Sequence, residues 1–99
     1  MPIHTHDDAG VITITLDDKF VFSDHRAFRA TYHDRPPGSR YVVDFRRVTY
    51  MDSSALGMLL LLKEEGAAGD RSRIKLINCN DQVRKILDVA NFVQMFTME

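Results

Sequence analysis

Arg40-Tyr41-Val42-Val43-Asp44-Phe45-Arg46-Arg47-Val48-Thr49-Tyr50-Met51-Asp52-Ser53-Ser54-Ala55-Leu56-Gly57 is the stretch on which the fold turns. Arg40 to Phe45 has a continuous apolar centre, as expected of an interior strand covered on at least one side. A loop from Arg46 to Asp52 follows, and a helix is predicted from about Ser53 to Glu65. Gly66 then stands where a helix C-terminus favours a residue with positive φ.

The flanks repeat the alternation. Upstream, Val11-Ile12-Thr13-Ile14-Thr15-Leu16 alternates apolar and polar residues, the pattern of a half-buried strand. Asp17-Asp18 reads as a turn and Lys19 to Phe22 as a short second strand. Ser23 is placed to cap a helix running to about Asp34, and Pro36-Pro37-Gly38 ends it. Downstream, Arg73 to Ile77 alternates again. Asn80 or Asp81 then caps a helix with Val83, Ile86, Leu87 and Ala90 on one stripe. Asn91 suits the left-handed position after that helix, and Phe92, Val93 and Phe96 can pack back on the body.

The order β-β-α-β-α-β-α calls for crossover connections over a mostly parallel sheet. The predicted class is α/β, with a four- to five-stranded mixed sheet and about three to four helices. A chain of 99 residues fits one domain, 1–99, with residues 1–8 expected as a flexible N-terminal tail.

Bulk composition narrows the function classes. A net charge of −1 argues against a large nucleic-acid footprint, which needs Lys and Arg massed on one face. The single Cys79 cannot close an intrachain disulfide, in keeping with a reducing compartment, and reads as a small buried hydrophobe rather than a reactive thiol. The longest aliphatic run, Met58 to Leu62, is far below the roughly 20 residues that cross a bilayer. A cytoplasmic protein without membrane insertion is expected. His4, His6, Asp7 and Asp8 carry metal-ligating groups but no second ligand cluster, so no metal site is predicted. Catalysis is not expected either. No G-x-S-x-G elbow is present, Gly57 stands where an S-x-x-K enzyme would place its Lys after Ser54, and the phosphate-binding Gly-rich loop is missing. Ser72 to Lys75 fits S-x-x-K only literally, because it enters a strand.

The chemistry gathers at Asp52-Ser53-Ser54. Asp and Ser commonly cap helices, which is the plainest reading of the corner. The helix behind it is apolar all round, so it is either buried on several sides or presents an apolar face to a partner. The positive end of the helix dipole also favours a negative group there, such as a phosphoryl group on Ser53 or Ser54.

Asp52-Ser53-Ser54-Ala55-Leu56-Gly57 resembles the D-S-S-[GA]-L-G signature of STAS domains, the sulfate transporter and anti-sigma factor antagonist family. The likeness extends through Tyr41 to Phe45 before it and through Ile74 to Asn78, Asp81 to Asp88 and Phe96 after it. The resemblance implies a bacterial partner-switching regulator of transcription. In such a regulator the unphosphorylated form binds an anti-sigma factor, a serine kinase of the histidine-kinase-like ATPase type, and releases its client. Phosphorylation, which the resemblance places at Ser54, ends that binding, and a metal-dependent Ser/Thr phosphatase resets it. Asp52 and Ser53 form the phosphosite corner. Tyr50, Met51, Ala55, Met58 and Leu62 are expected in the partner-binding face, and no cofactor is implied. Asp18 and Val21 depart from the family pattern on the edge expected to help select the partner. The alternative is a non-switching structural STAS subunit of a membrane transport complex.

Overall fold

The computed structural model describes residues 3–99. Strands β1 (His4–Asp8), β2 (Val11–Thr15), β4 (Arg40–Asp44), β6 (Ile74–Ile77) and β7 (Thr97–Met98) form a five-stranded sheet in the order β1-β2-β4-β6-β7. Only β1 runs antiparallel, paired with β2 from His4–Thr15 to Asp8–Val11. A second, two-stranded sheet pairs β3 (Lys19–Phe20) with β5 (Tyr50–Met51) in parallel. The helices are α1 (His25–Tyr32), α2 (Ser53–Leu61) and α3 (Asp81–Val89).

Each parallel crossover moves one strand further in the same direction. Right-handed connections therefore lay all three helices on one face of the sheet. The burial pattern agrees. Ile12, Ile14, Leu16, Tyr41, Val43, Phe45, Ile74 and Leu76 are buried, while Val11, Thr13, Thr15, Val42, Lys75 and Ile77 are half-buried. The core is one cluster into which α1 sends Phe28 and Tyr32, α2 sends Ala55, Met58 and Leu59, and α3 sends Val83 and Leu87.

The α/β class and the mixed sheet are as predicted. The flexible tail is corrected: His4–Asp8 is a paired edge strand, and Asp7 meets Arg35 at 3.2 Å. All five residues of that strand are exposed, so no apolar alternation announced it. Residues 1 and 2 of the expected tail lie outside the described residues. Ser23 does not cap α1. It sits in a 3-10 turn, Phe22–Asp24, where the Asp24 carboxylate accepts from the Val21 N–H at 3.0 Å.

The end of α2 also differs. The helix widens into a π turn over Leu62–Gly66, and the left-handed residues are Ala68 and Gly69, with φ of 52° and 78°. Gly66 serves close packing instead. A Cβ there would lie 3.0 Å from Leu62 Cδ1 and 3.3 Å from Tyr41 Cε2. Downstream, Asn80 caps α3 by accepting from Val83 N at 2.8 Å, and Asn91 takes the left-handed conformation with φ of 64°. Phe92 and Phe96 stack at 5.2 Å inside the core.

Candidate functional site: the corner before helix α2

Strand β4 ends at a pinned joint. The buried Asp44 carboxylate accepts from Arg46 N and Asn78 Nδ2, both at 3.0 Å, and so ties the ends of β4 and β6 together. The loop beyond is held from two sides. The Asp18 carbonyl accepts from Thr49 N at 2.7 Å and Tyr50 N at 3.1 Å, and Asn80 Nδ2 donates to the Val48 carbonyl at 2.9 Å. Asp18 contributes here through its backbone carbonyl.

Asp52 then opens α2. Its Oδ1 accepts from Ala55 N at 3.2 Å, the bond expected of an N-cap. Its Oδ2 accepts from Phe22 N at 3.2 Å, across from the turn that precedes α1. One carboxylate thus serves two orphan donors in separate segments. Ser53 and Ser54 occupy the first two helical positions, Ser53 exposed and Ser54 half-buried. Neither serine makes the cap, so the Ser54 hydroxyl is not tied up in closing the helix.

Burial revises the predicted docking face. Tyr50 is 54% exposed, but Met51 and Met58 are 6% exposed and Ala55 and Leu62 are fully buried. These four belong to the core: Met51 from β5, Ala55 and Met58 from α2, and Leu62 from the turn that follows it. Besides Tyr50, and Val89 on α3, the exposed large apolar residues are Leu60, Leu61 at 49% and Phe22 at 61%. With His25, Ser54, Gly57 and Glu64 they line an open groove of about 580 Å³ between α1 and α2. Leu60, Leu61 and Phe22 are thus the face that sequence reading missed. An all-apolar helix carries no sign of which side is outward, and Phe22 looked like the end of a strand.

Among the described residues no group of three metal-ligating side chains converges, and no helix is long and apolar enough to cross a membrane. Cys79 lies half-buried beyond β6. Burial pushes its thiol up to about 11, which keeps it protonated and unreactive near neutral pH.

The sheet order, the one-sided helices and the serine-bearing corner define a STAS-type α/β domain. The chain belongs to the STAS domain family, whose model described as Mlab, STAS domain matches residues 3–97. A STAS-domain containing protein of Pseudomonas aeruginosa (strain UCBPP-PA14) is 48% identical over 90 residues, covering 90% of this chain and 88% of that one. Among solved structures, an anti-sigma factor antagonist from Mycobacterium paratuberculosis superposes with a TM-score of 0.80 at 18% identity, covering 97% of this chain and 82% of that one. The unphosphorylated form of the anti-sigma factor antagonist SpoIIAA superposes at 0.70 with 21% identity, covering 98% and 86%. At such identities the likeness is one of fold.

Proposed function

We propose that this chain is an anti-sigma-factor-antagonist-like regulator that acts by binding rather than by catalysis. The unphosphorylated form docks, through the corner from Tyr50 to Ser54 and the first turn of α2, onto an anti-sigma factor that is also a serine kinase of the histidine-kinase-like ATPase type. Phosphorylation of Ser54 ends the docking and a metal-dependent Ser/Thr phosphatase restores it. This cycle would run in the cytoplasm. The observation that carries the reading is the division of labour between Asp52 and Ser54. Asp52 closes the helix, which leaves a half-buried hydroxyl at its second position beside exposed apolar side chains. A phosphate there adds about −1.5 to −2 charges to a surface whose partner must lose water on docking. Phosphopeptide mass spectrometry on protein isolated from its native cells tests it. A Ser54 phosphopeptide that rises and falls with growth state supports the switch. Ser54 unmodified under every condition sinks it and favours a static STAS subunit of a transport complex.

A further inference from the structure

The groove between α1 and α2 carries one acid on its lining, Glu64, and borders a basic depression on α1. Phe22, Gly57, Leu60 and Leu61 make its apolar strip. On the α1 side, His25 is shared with a neighbouring depression lined by Arg26, Arg29 and His33. On the other side the strip ends at Glu64, with Glu65 next in the chain. Arg29 and Glu65 are paired, Nε to Oε1 at 3.6 Å. Among the described residues neither Arg26 nor Glu64 has an ion-pair partner. One uncommitted charge therefore lies on each flank: Arg26 in the depression on α1 that shares His25 with the groove, and Glu64 on the groove's own lining.

The strip also carries a knob and a hole. The Phe22 ring protrudes and is braced by stacking on His25, with centroids 4.8 Å apart and planes 18° from parallel. The His25 ring is fixed in turn by donating from Nδ1 to the Phe22 carbonyl at 3.0 Å. Gly57 sits inside α2, where glycine is a poor helix former, and its φ is not in the left-handed region. A Cβ built there meets nothing within 4 Å. Neither backbone conformation nor internal packing asks for glycine at this position, whereas close approach of another molecule would.

We propose that this groove seats a second copy of the chain across a two-fold axis. Phe22 of each protomer lies over Gly57 of the other, and Arg26 faces Glu64 in both directions. A two-fold interface uses the same patch twice, so the patch must be complementary to itself. A basic flank on α1 and an acid on the lining of the apolar strip meet that requirement, because rotation brings each against its opposite. A surface with one sign of charge would repel its copy. Ser54 lies on the lining, so pairing would also cover it. The inference stands whether or not Ser54 is ever modified, since every measurement below uses the unmodified full-length chain.

Sedimentation velocity and light scattering over a concentration series provide the test. The wild type should show a reversible monomer–dimer equilibrium. Arg26→Glu or Glu64→Arg alone should raise the dimer dissociation constant roughly tenfold or more, because each sets like charges face to face. The double variant should return to within about threefold of the wild type, since the two charges are merely exchanged. Gly57→Leu should abolish the dimer by filling the hole while the circular dichroism spectrum and thermal midpoint of the monomer persist. A wild type that is monomeric throughout the series would overturn the proposal and assign the groove to a different protein. A double variant no better than the single ones would overturn it as well.

Discussion

Asp52 accepts a hydrogen bond from Phe22 N at 3.2 Å, joining two segments 30 residues apart, while its other oxygen caps α2 at Ala55. The entry to α1 and the start of the serine-bearing helix are therefore set by one side chain. Asp52→Ala should destabilise the domain by about 1–2 kcal/mol, since a lost cap costs ~1 kcal/mol and a second donor is orphaned here. Asp52→Asn, which keeps a side-chain oxygen, should lose less. Urea denaturation gives the energies, and amide exchange at Phe22 reports the second bond on its own. If Phe22 exchanges at the same rate in Asp52→Ala and in the wild type, the bridge contributes nothing.

The same cap sets the expectation for Ser54. Because Asp52 closes the helix, Ser54→Ala should change stability by no more than about 0.5 kcal/mol, as a substitution away from any structural bond does. Ser54→Asp brings a second carboxylate close to Asp52 and gains from the helix dipole, terms of ~0.3–1 kcal/mol that oppose each other. Its folding stability should move little. Binding of the proposed kinase partner is different: a loss of about 3–4 kcal/mol corresponds to a 10²- to 10³-fold weaker complex. Calorimetric titration should show Ser54→Ala binding like the wild type, Ser54→Asp much weaker, and Ser53→Asp nearer the wild type. Equal affinities for all three would reduce Ser54 to a bystander.

Much of this architecture was legible because its signals are local. Alternation in Val11 to Leu16, the apolar run through Val43 and the stripe from Val83 to Ala90 each report a pattern that depends on one element alone. What escaped depends on pairing or on direction. β1 pairs along its backbone with every side chain exposed, so neither face carried a hydrophobic pattern. β5 and β7 have two residues each, too short to show a period. In α2 the sequence specified an apolar helix, but only tertiary contacts decide that Met58 turns inward and Leu61 outward.

That last contrast yields a paired prediction. Met58→Asp should unfold the domain or cost several kcal/mol, because it places an unpaired carboxylate among Ala55, Leu59 and the sheet. Leu61→Asp, three positions on and half exposed, should cost less than about 1 kcal/mol. Thermal melts of the two purified variants decide it. Similar midpoints would mean that α2 is rotated relative to the arrangement described.

Gly57 and Gly66 make a second pair, nine positions apart on the same continuous turn system. At Gly57 nothing lies near the missing Cβ, so Gly57→Ala should stabilise by roughly 0.5–1 kcal/mol through helix propensity. At Gly66 the new methyl would press on Leu62 and the Tyr41 ring, and a crowded core costs typically 1–3 kcal/mol. Opposite signs in one denaturation series are the expected result. A gain at Gly66 would show that Leu62 swings aside freely.

Cys79 provides the pH dependence. Burial raises its thiol from an ordinary 9.0 to about 11, with Asp44 pushing the same way and Arg84 against. The folded chain therefore holds this proton at pH values where the unfolded chain has released it. Stability from the group is complete below pH 9.0 and declines as the pH rises toward about 11. Tyr32 and Tyr41, both raised chiefly by burial from an ordinary 10.0, act in the same direction as the pH rises through that value. Cys79→Ala removes the thiol's share, so its urea midpoint should fall less than that of the wild type between pH 9.0 and about 11, the window spanned by those values. In the folded wild type, alkylation by iodoacetamide at pH 8 should be slow and should accelerate on unfolding, because only the thiolate reacts. Rapid labelling of the folded protein would contradict a buried, protonated thiol.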